Sequence, residues 1–203
     1  MDKEALKQAV AVILAEEGPL HAARTLVLVA FSGIKERDGS PYFNHLERVA
    51  DGIDDVRIKP IGYLHDLIED VKGWTFEDLE EIGFDAFTVD GVRAVTKKGG
   101  AYFDEMVWLS ATPQAIPAKR SDLKDNSNIL RLAQIPDDWD VERTRKYYLA
   151  WHYLTDVEQG KIPPQTPFGQ WMAIQPPAKQ NWDLLRKHSS ESVPAAGAPA
   201  FSL

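Results

Sequence analysis

The chain has 203 residues, no cysteine and a formal net charge of −8. That length suits one domain with an extension and a core needing no covalent staple, and the missing cysteines exclude disulfides and thiolate metal sites, so a metal must sit on imidazole and carboxylate. The acidic balance argues against nucleic acid as a partner, and no apolar run approaches the roughly 20 residues of a membrane span, so the expectation is a cytoplasmic protein whose partner is a small ligand.

In chain order, Met1-Asp2-Lys3-Glu4 lacks the apolar core of a signal peptide. Asp2 predicts an N-cap for a helix carrying Leu6, Val10, Val12, Ile13 and Leu14 at helical spacing. Gly18-Pro19 breaks it, and a second helix is expected over residues 21–31. Residues 35–39 read as a polar loop with a turn at Asp38-Gly39. Ser40 reads as an N-cap, with Pro41 opening a helix that carries Phe43, Leu46, Val49 and Ala50. Another helix is expected over residues 58–68. Trp74, Thr75 and Asp78 suggest a stapled capping box, and Gly83 a stop. Helices over residues 85–95 and 101–110 follow, then one from Pro117 to about residue 134, and one capped by Asp140 running to about residue 159. No stretch alternates like a strand, so residues 1–160 are expected to form an all-α domain. Beyond Gly160, prolines at 163, 164, 167, 176, 177, 194 and 199 oppose any regular core element. Residues 161–203 are expected to form an irregular Pro-rich extension that the metal site does not need. Trp171, Trp182 and Leu185 would dock it in part, and residues 189–203 would be disordered.

The chemistry concentrates in Leu64-His65-Asp66-Leu67-Ile68-Glu69-Asp70. Adjacent side chains on a helix diverge by about 100°, so His65 and Asp66 reach one metal only near a helix end or through long rotamers. Glu69 stacks four residues after His65, and Asp70 four after Asp66. Several carboxylates beside apolar Leu64, Leu67 and Ile68 are costly unless a cation neutralises them. The plainer reading is a polar helix end with i,i+4 contacts. His45, in a helix with an apolar face, reads as structural when taken alone. In Lys119-Arg120-Ser121-Asp122-Leu123-Lys124-Asp125-Asn126, Asp122 and Asp125 are rival ligands on spacing.

The order His45, His65-Asp66, Asp122 resembles the HD superfamily of metal-dependent phosphohydrolases. Gly39-Ser40-Pro41-Tyr42-Phe43-Asn44-His45 resembles the G-x-P-Y-x-x-H motif of alarmone hydrolases, both the small stand-alone enzymes and the hydrolase domains of RelA/SpoT homologues. Residues 64–70 resemble their (L/H)-H-D-x-(I/V)-E-D motif, and residues 119–126 their K-x-x-D-x-x-x-N motif. The similarity covers about residues 20–155 and implies an HD-domain helical bundle. It also implies His45, His65, Asp66 and Asp122 as ligands of Mn²⁺ or another divalent metal, with Asp125 a bystander. Glu69 and Asp70 would be catalytic, and Lys35, Arg37, Lys97, Asn126, Arg143 and Tyr147 would contact the substrate. Arg120 and Ser121 stand where the family has small or apolar residues, and Glu36 splits its usual basic pair; both departures are expected near the nucleotide.

The implied activity is removal of the 3′-pyrophosphate of (p)ppGpp, giving GDP or GTP and pyrophosphate. What remains of the chain is too short for a synthetase domain, which implies a stand-alone hydrolase of the stringent response. Two alternatives stay open: an HD phosphohydrolase acting on a deoxynucleoside triphosphate or NADPH, and a non-catalytic nucleotide-binding or antitoxin-like protein.

Overall fold

A computed structural model describes residues 2–132 and 134–191. It is all-helical, with one isolated bridge and no strand among the described residues. The helices are α1 (Lys3–Glu17), α2 (Pro19–Ala30), α3 (Phe43–Asp51), α4 (Lys59–Leu64), α5 (Leu67–Asp70), α6 (Phe76–Ile82), α7 (Ala86–Val95), α8 (Tyr102–Leu109), α9 (Ala115–Asn126), α10 (Asp138–Glu158), α11 (Phe168–Ala173) and α12 (Trp182–His188).

Several boundaries follow from local chemistry. The Asp2 carboxylate accepts the Ala5 N–H at 2.8 Å and caps α1. Gly18, at φ +89°, lets the chain reverse before Pro19 opens α2. Thr75 and Asp78 form a reciprocal capping box at α6, and left-handed Gly83 closes that helix.

Four expectations need correction. Ser40 and Pro41 do not start α3. The Ser40 N–H instead donates to Asp38 at 2.9 Å, and Lys35 and Pro41 form an antiparallel bridge, so residues 35–41 make a tight return and the helix begins at Phe43. The helix expected over residues 58–68 is broken at His65-Asp66 into α4 and α5. The helix begun before Pro117 ends at Asn126 rather than near 134, because the Ser127 hydroxyl takes the Leu123 carbonyl at 2.7 Å and the Asn128 side chain starts a separate 3₁₀ turn over Ile129–Arg131. Asp137 caps α10, with Asp140 as the reciprocal partner three residues on.

At the centre of the bundle α3, α4 and α9 pack on one another, and α2, α7 and α10 surround them. Gly62 lets α4 approach α3 closely. A Cβ there would stand 3.2 Å from the Ala50 Cα of α3 and 2.6 Å from Ile53. The Ser121 hydroxyl donates to the Val49 carbonyl at 2.7 Å and ties α9 to α3. Arg120 pairs with Glu158 and lies over Trp151, tying α9 to α10. Arg120 and Ser121 therefore both make contacts between helices.

The C-terminal extension docks through Trp171, Trp182 and Leu185 as expected, but with more regular structure than its prolines suggested. Despite its prolines it supplies two short helices to the main core. Phe168, Trp171, Met172 and Leu185 are fully buried in the same apolar cluster as α3, α4 and α9. Phe168 stacks on Phe103 with ring centroids 4.1 Å apart, and the Trp171 indole N–H donates to Asp156 at 2.9 Å. The Glu191 carboxylate accepts the N–H groups of Phe168 and Gly169, filling the N-terminal turn of α11. Residues 189–191, expected to be disordered, are bonded to Asp104 and α11; the rest of that expectation, residues 192–203, lies outside the described residues. Among the described residues no helix is long and apolar enough to cross a membrane.

Removing a buried aromatic of this size costs about 3–5 kcal/mol. Trp171→Ala is expected to lose that much in chemical denaturation. Ending the chain after Gly160 should lower the melting temperature sharply or prevent folding, and a truncated chain melting like the full one would contradict this packing.

Candidate metal centre

The break between α4 and α5 builds the centre. His65 is the C-cap of α4 and Asp66 the N-cap of α5, and at Asp66 the backbone opens to φ −100°, ψ −2°, which interrupts the helix between them. The turn brings two adjacent side chains to one point, which an unbroken helix would send about 100° apart. His45 comes from the first turn of α3 and Asp122 from α9. His45, His65 and Asp122 offer donor atoms that all lie within 4.8 Å of one another. Asp66 Oδ2 lies 3.0 Å from His65 Nε2 and 3.5 Å from His45 Nε2. Asp122 Oδ1 lies 3.6 and 3.5 Å from the same two nitrogens. His45, His65 and Asp122 are buried, and Asp66 nearly so.

Both imidazoles are oriented from behind. His65 Nδ1 lies 2.8 Å from the Gly62 carbonyl, and His45 Nδ1 lies 2.7 Å from Asp125 Oδ2. A carbonyl and a carboxylate only accept, so each Nδ1 carries the hydrogen and each Nε2 lone pair is left toward the centre. His65 Nε2 is buried and, although Asp66 Oδ2 lies 3.0 Å away, makes no aligned hydrogen bond. An orphaned, inward-facing nitrogen beside two carboxylates fits a divalent cation, which would satisfy the nitrogen and neutralise both charges.

The surrounding groups hold the carboxylates. Lys119, buried, donates to Asp122 Oδ2 at 2.9 Å, and Asn126 donates to Oδ1. Burial alone would raise the Asp122 pKa, but Lys119 and His65 push it well below the usual range. The Tyr42 hydroxyl reaches Asp66 at 2.6 Å and Asp70 at 3.1 Å. Burial, and next the charge of Asp66, raise the pKa of Asp70. Glu69 accepts the Lys97 backbone N–H at 2.7 Å and its ammonium at 2.6 Å. Burial opposes protonation of both histidines, yet the facing carboxylates outweigh it and raise the pKa of each, well above the ordinary value for His65.

The expected substrate residues divide. Arg37, Asn126 and Arg143 line a cavity of about 210 Å³ that His45 and Tyr42 also border. Lys97 stands on another side, in a small cleft with Lys119. Lys35 is exposed on the return loop and lines neither, and Tyr147 packs against Tyr102. Residues that sequence reasoning passed over also matter. Asp125 is no bystander: it orients His45 and binds Arg48 and Arg131. Glu36, Arg48 and Arg131 complete that charged frame, which occupies the second possible metal grouping of Glu36, His45 and Asp125. The only sequence signal for Asp125 was its spacing one residue short of a helical turn from Asp122.

Comparison with known proteins finds no matching family model and no similar curated protein.

Two outcomes are expected. Asp125→Asn, which leaves every donor in place, should weaken divalent-metal binding about 10- to 100-fold, the usual effect of removing a group that orients a ligand; unchanged affinity in calorimetry would show that His45 needs no such support. Each imidazole must also lose its proton to donate, and both pKa values are raised. Metal affinity should therefore rise with pH through those values, with protons released. In the metal-free chain the sign reverses: stability from the protonated pair is full below about pH 6.5 and is lost as pH rises through the raised values.

Proposed function

We propose that this protein is a metal-dependent phosphohydrolase that removes the 3′-pyrophosphate from (p)ppGpp. The observation that supports this reading most is the convergence of His45, His65, Asp66 and Asp122 around an orphaned, buried Nε2, beside the Glu69-Asp70 pair. Two imidazoles and two carboxylates suit Mn²⁺, and Fe²⁺, Co²⁺ or Zn²⁺ fit the same donors. A divalent cation at this centre supplies charge that favours ionisation of a water and neutralises phosphate oxygens.

The chain's own groups do the rest. The Glu69-Asp70 pair takes the proton of the attacking water and returns one to the leaving 3′ oxygen as the P–O bond breaks. Lys97 fixes Glu69 with two donors, and Tyr42 couples Asp70 to Asp66, so both carboxylates keep their positions through the exchange. Arg37 and Arg143 share one buried carboxylate, Asp140. These two guanidinium groups line the 210 Å³ cavity together with Arg131, Glu36 and Asp38, and planar N–H donors of this kind are the groups there that could bind phosphate.

The deciding assay incubates the protein with Mn²⁺ and ppGpp, dATP, dGTP or NADPH in turn. GDP and pyrophosphate from ppGpp are expected. Inorganic triphosphate from a deoxynucleotide, with ppGpp untouched, would overturn the guanosine assignment and select a triphosphohydrolase. Glu69→Gln should retain the metal and lose about 100-fold in rate, the scale of general-base removal; a fully active Glu69→Gln, Asp70→Asn double variant would refute the proton-transfer role.

A further inference from the structure

Trp139 belongs to none of the motifs, and it stands in the first turn of α10 with 60% of its surface exposed. An indole so exposed contributes little to the core, and what it touches is therefore informative. Two guanidinium groups converge on it. Arg37 Cζ lies 5.3 Å from the centre of its ring, and Arg143 Cζ lies 5.0 Å away. The next residue, Asp140, is fully buried, and its Oδ1 takes Arg37 Nη1 at 2.8 Å and faces Arg143 Nη2 at 3.7 Å. The two arginines thus meet at one carboxylate oxygen and one aromatic ring.

They reach that point from different parts of the chain. Arg37 comes from the return loop, and Arg143 follows Trp139 by four residues on the same face of α10. Both line the 210 Å³ cavity that His45 and Tyr42 border. The Arg37 side chain is 46% exposed. At such a site the entropy of ordering a long side chain offsets most of the gain from an ion pair, so the carboxylate alone holds the arginine loosely. A planar guanidinium against an aromatic ring gains a second contact, and the indole is the strongest aromatic partner for a cation. Arg143 Nε is also buried and makes no hydrogen bond, so that guanidinium keeps an unused donor.

We propose that Trp139 is a positioning residue whose ring, with the Asp140 carboxylate, holds Arg37 and Arg143 in place at the cavity beside the metal centre, where they bind phosphate oxygens. Assigning that phosphate to a substrate rests on the phosphohydrolase reading; the hold of Trp139 on the two arginines does not.

The test uses the full chain and three substitutions. Trp139→Ala removes the ring, Trp139→Leu keeps apolar bulk without a ring, and Trp139→Phe keeps a ring. All three should melt close to wild type, since most of the indole surface is already in solvent. Inorganic pyrophosphate is titrated into each protein in a chelator, with calorimetric readout. The Ala and Leu variants should bind about 5- to 30-fold more weakly, the scale of two exposed cation–aromatic contacts, and the Phe variant should recover most of the loss. With Mn²⁺ and ppGpp, KM should rise by a similar factor in the Ala and Leu variants at unchanged kcat. A Leu variant that binds like wild type would overturn the positioning role, because apolar packing would then suffice. So would wild-type protein that binds no pyrophosphate, or a loss in kcat with KM unchanged. Trp139-dependent pyrophosphate binding by a protein that hydrolyses no nucleotide would uphold the positioning role and reject the phosphohydrolase reading. Hydrolysis of ppGpp with KM unchanged in the Ala variant would do the reverse.

Discussion

The bond from His65 Nδ1 to the Gly62 carbonyl is the contact on which the centre depends. It uses a carbonyl near the C-terminal end of α4 that the shortened helix leaves open to a side chain. It sets the tautomer, aims Nε2 inward and holds the ring while the backbone breaks at Asp66. The same glycine has no side chain to keep α4 off Ala50 of α3, so His65 and His45 come within one donor shell. A larger residue at position 62 would part the helices and the ligands together.

Around this point charge is arranged in layers. The inner donors are two imidazoles and two carboxylates. Behind them, Lys119, Asn126, Tyr42 and Asp125 each fix one donor atom or ring. Farther out, Arg48 and Arg131, themselves paired with Glu36, hold Asp125, which leaves that carboxylate little freedom to act as a rival ligand. Such a network is favourable only when every member is satisfied. The orphaned His65 Nε2 is therefore the informative exception, and it sits where a cation would complete the set.

The C-terminal segment ties this site to the rest of the domain. Its aromatic residues complete the core beneath α8 and α10. Its last helix, α12, engages Glu142 of α10 through Lys187 and His188.

Much of this was legible in the sequence. Helical spacing without strand alternation determined the all-α class, and Asp2, Thr75 with Asp78, and Gly83 marked helix ends because caps are local hydrogen bonds between near neighbours. The positions of His45, His65, Asp66 and Asp122 could be singled out by motif order alone, and their meeting point required the fold. Boundaries failed where a side chain had two local partners to choose between. Ser40 bonds within its own loop rather than capping α3, and Ser127 ends α9 early. Tertiary structure alone decided the rest. Prolines limit the length of a helix but not whether Phe168 and Trp171 find an apolar surface, so the extension's place in the core followed from burial. The roles of Asp125 and Lys119 followed from which charges the packed helices bring together. Coulombic and hydrogen-bonding partners are set by distance in space, and separations such as the 80 residues between His45 and Asp125 carry no local signal.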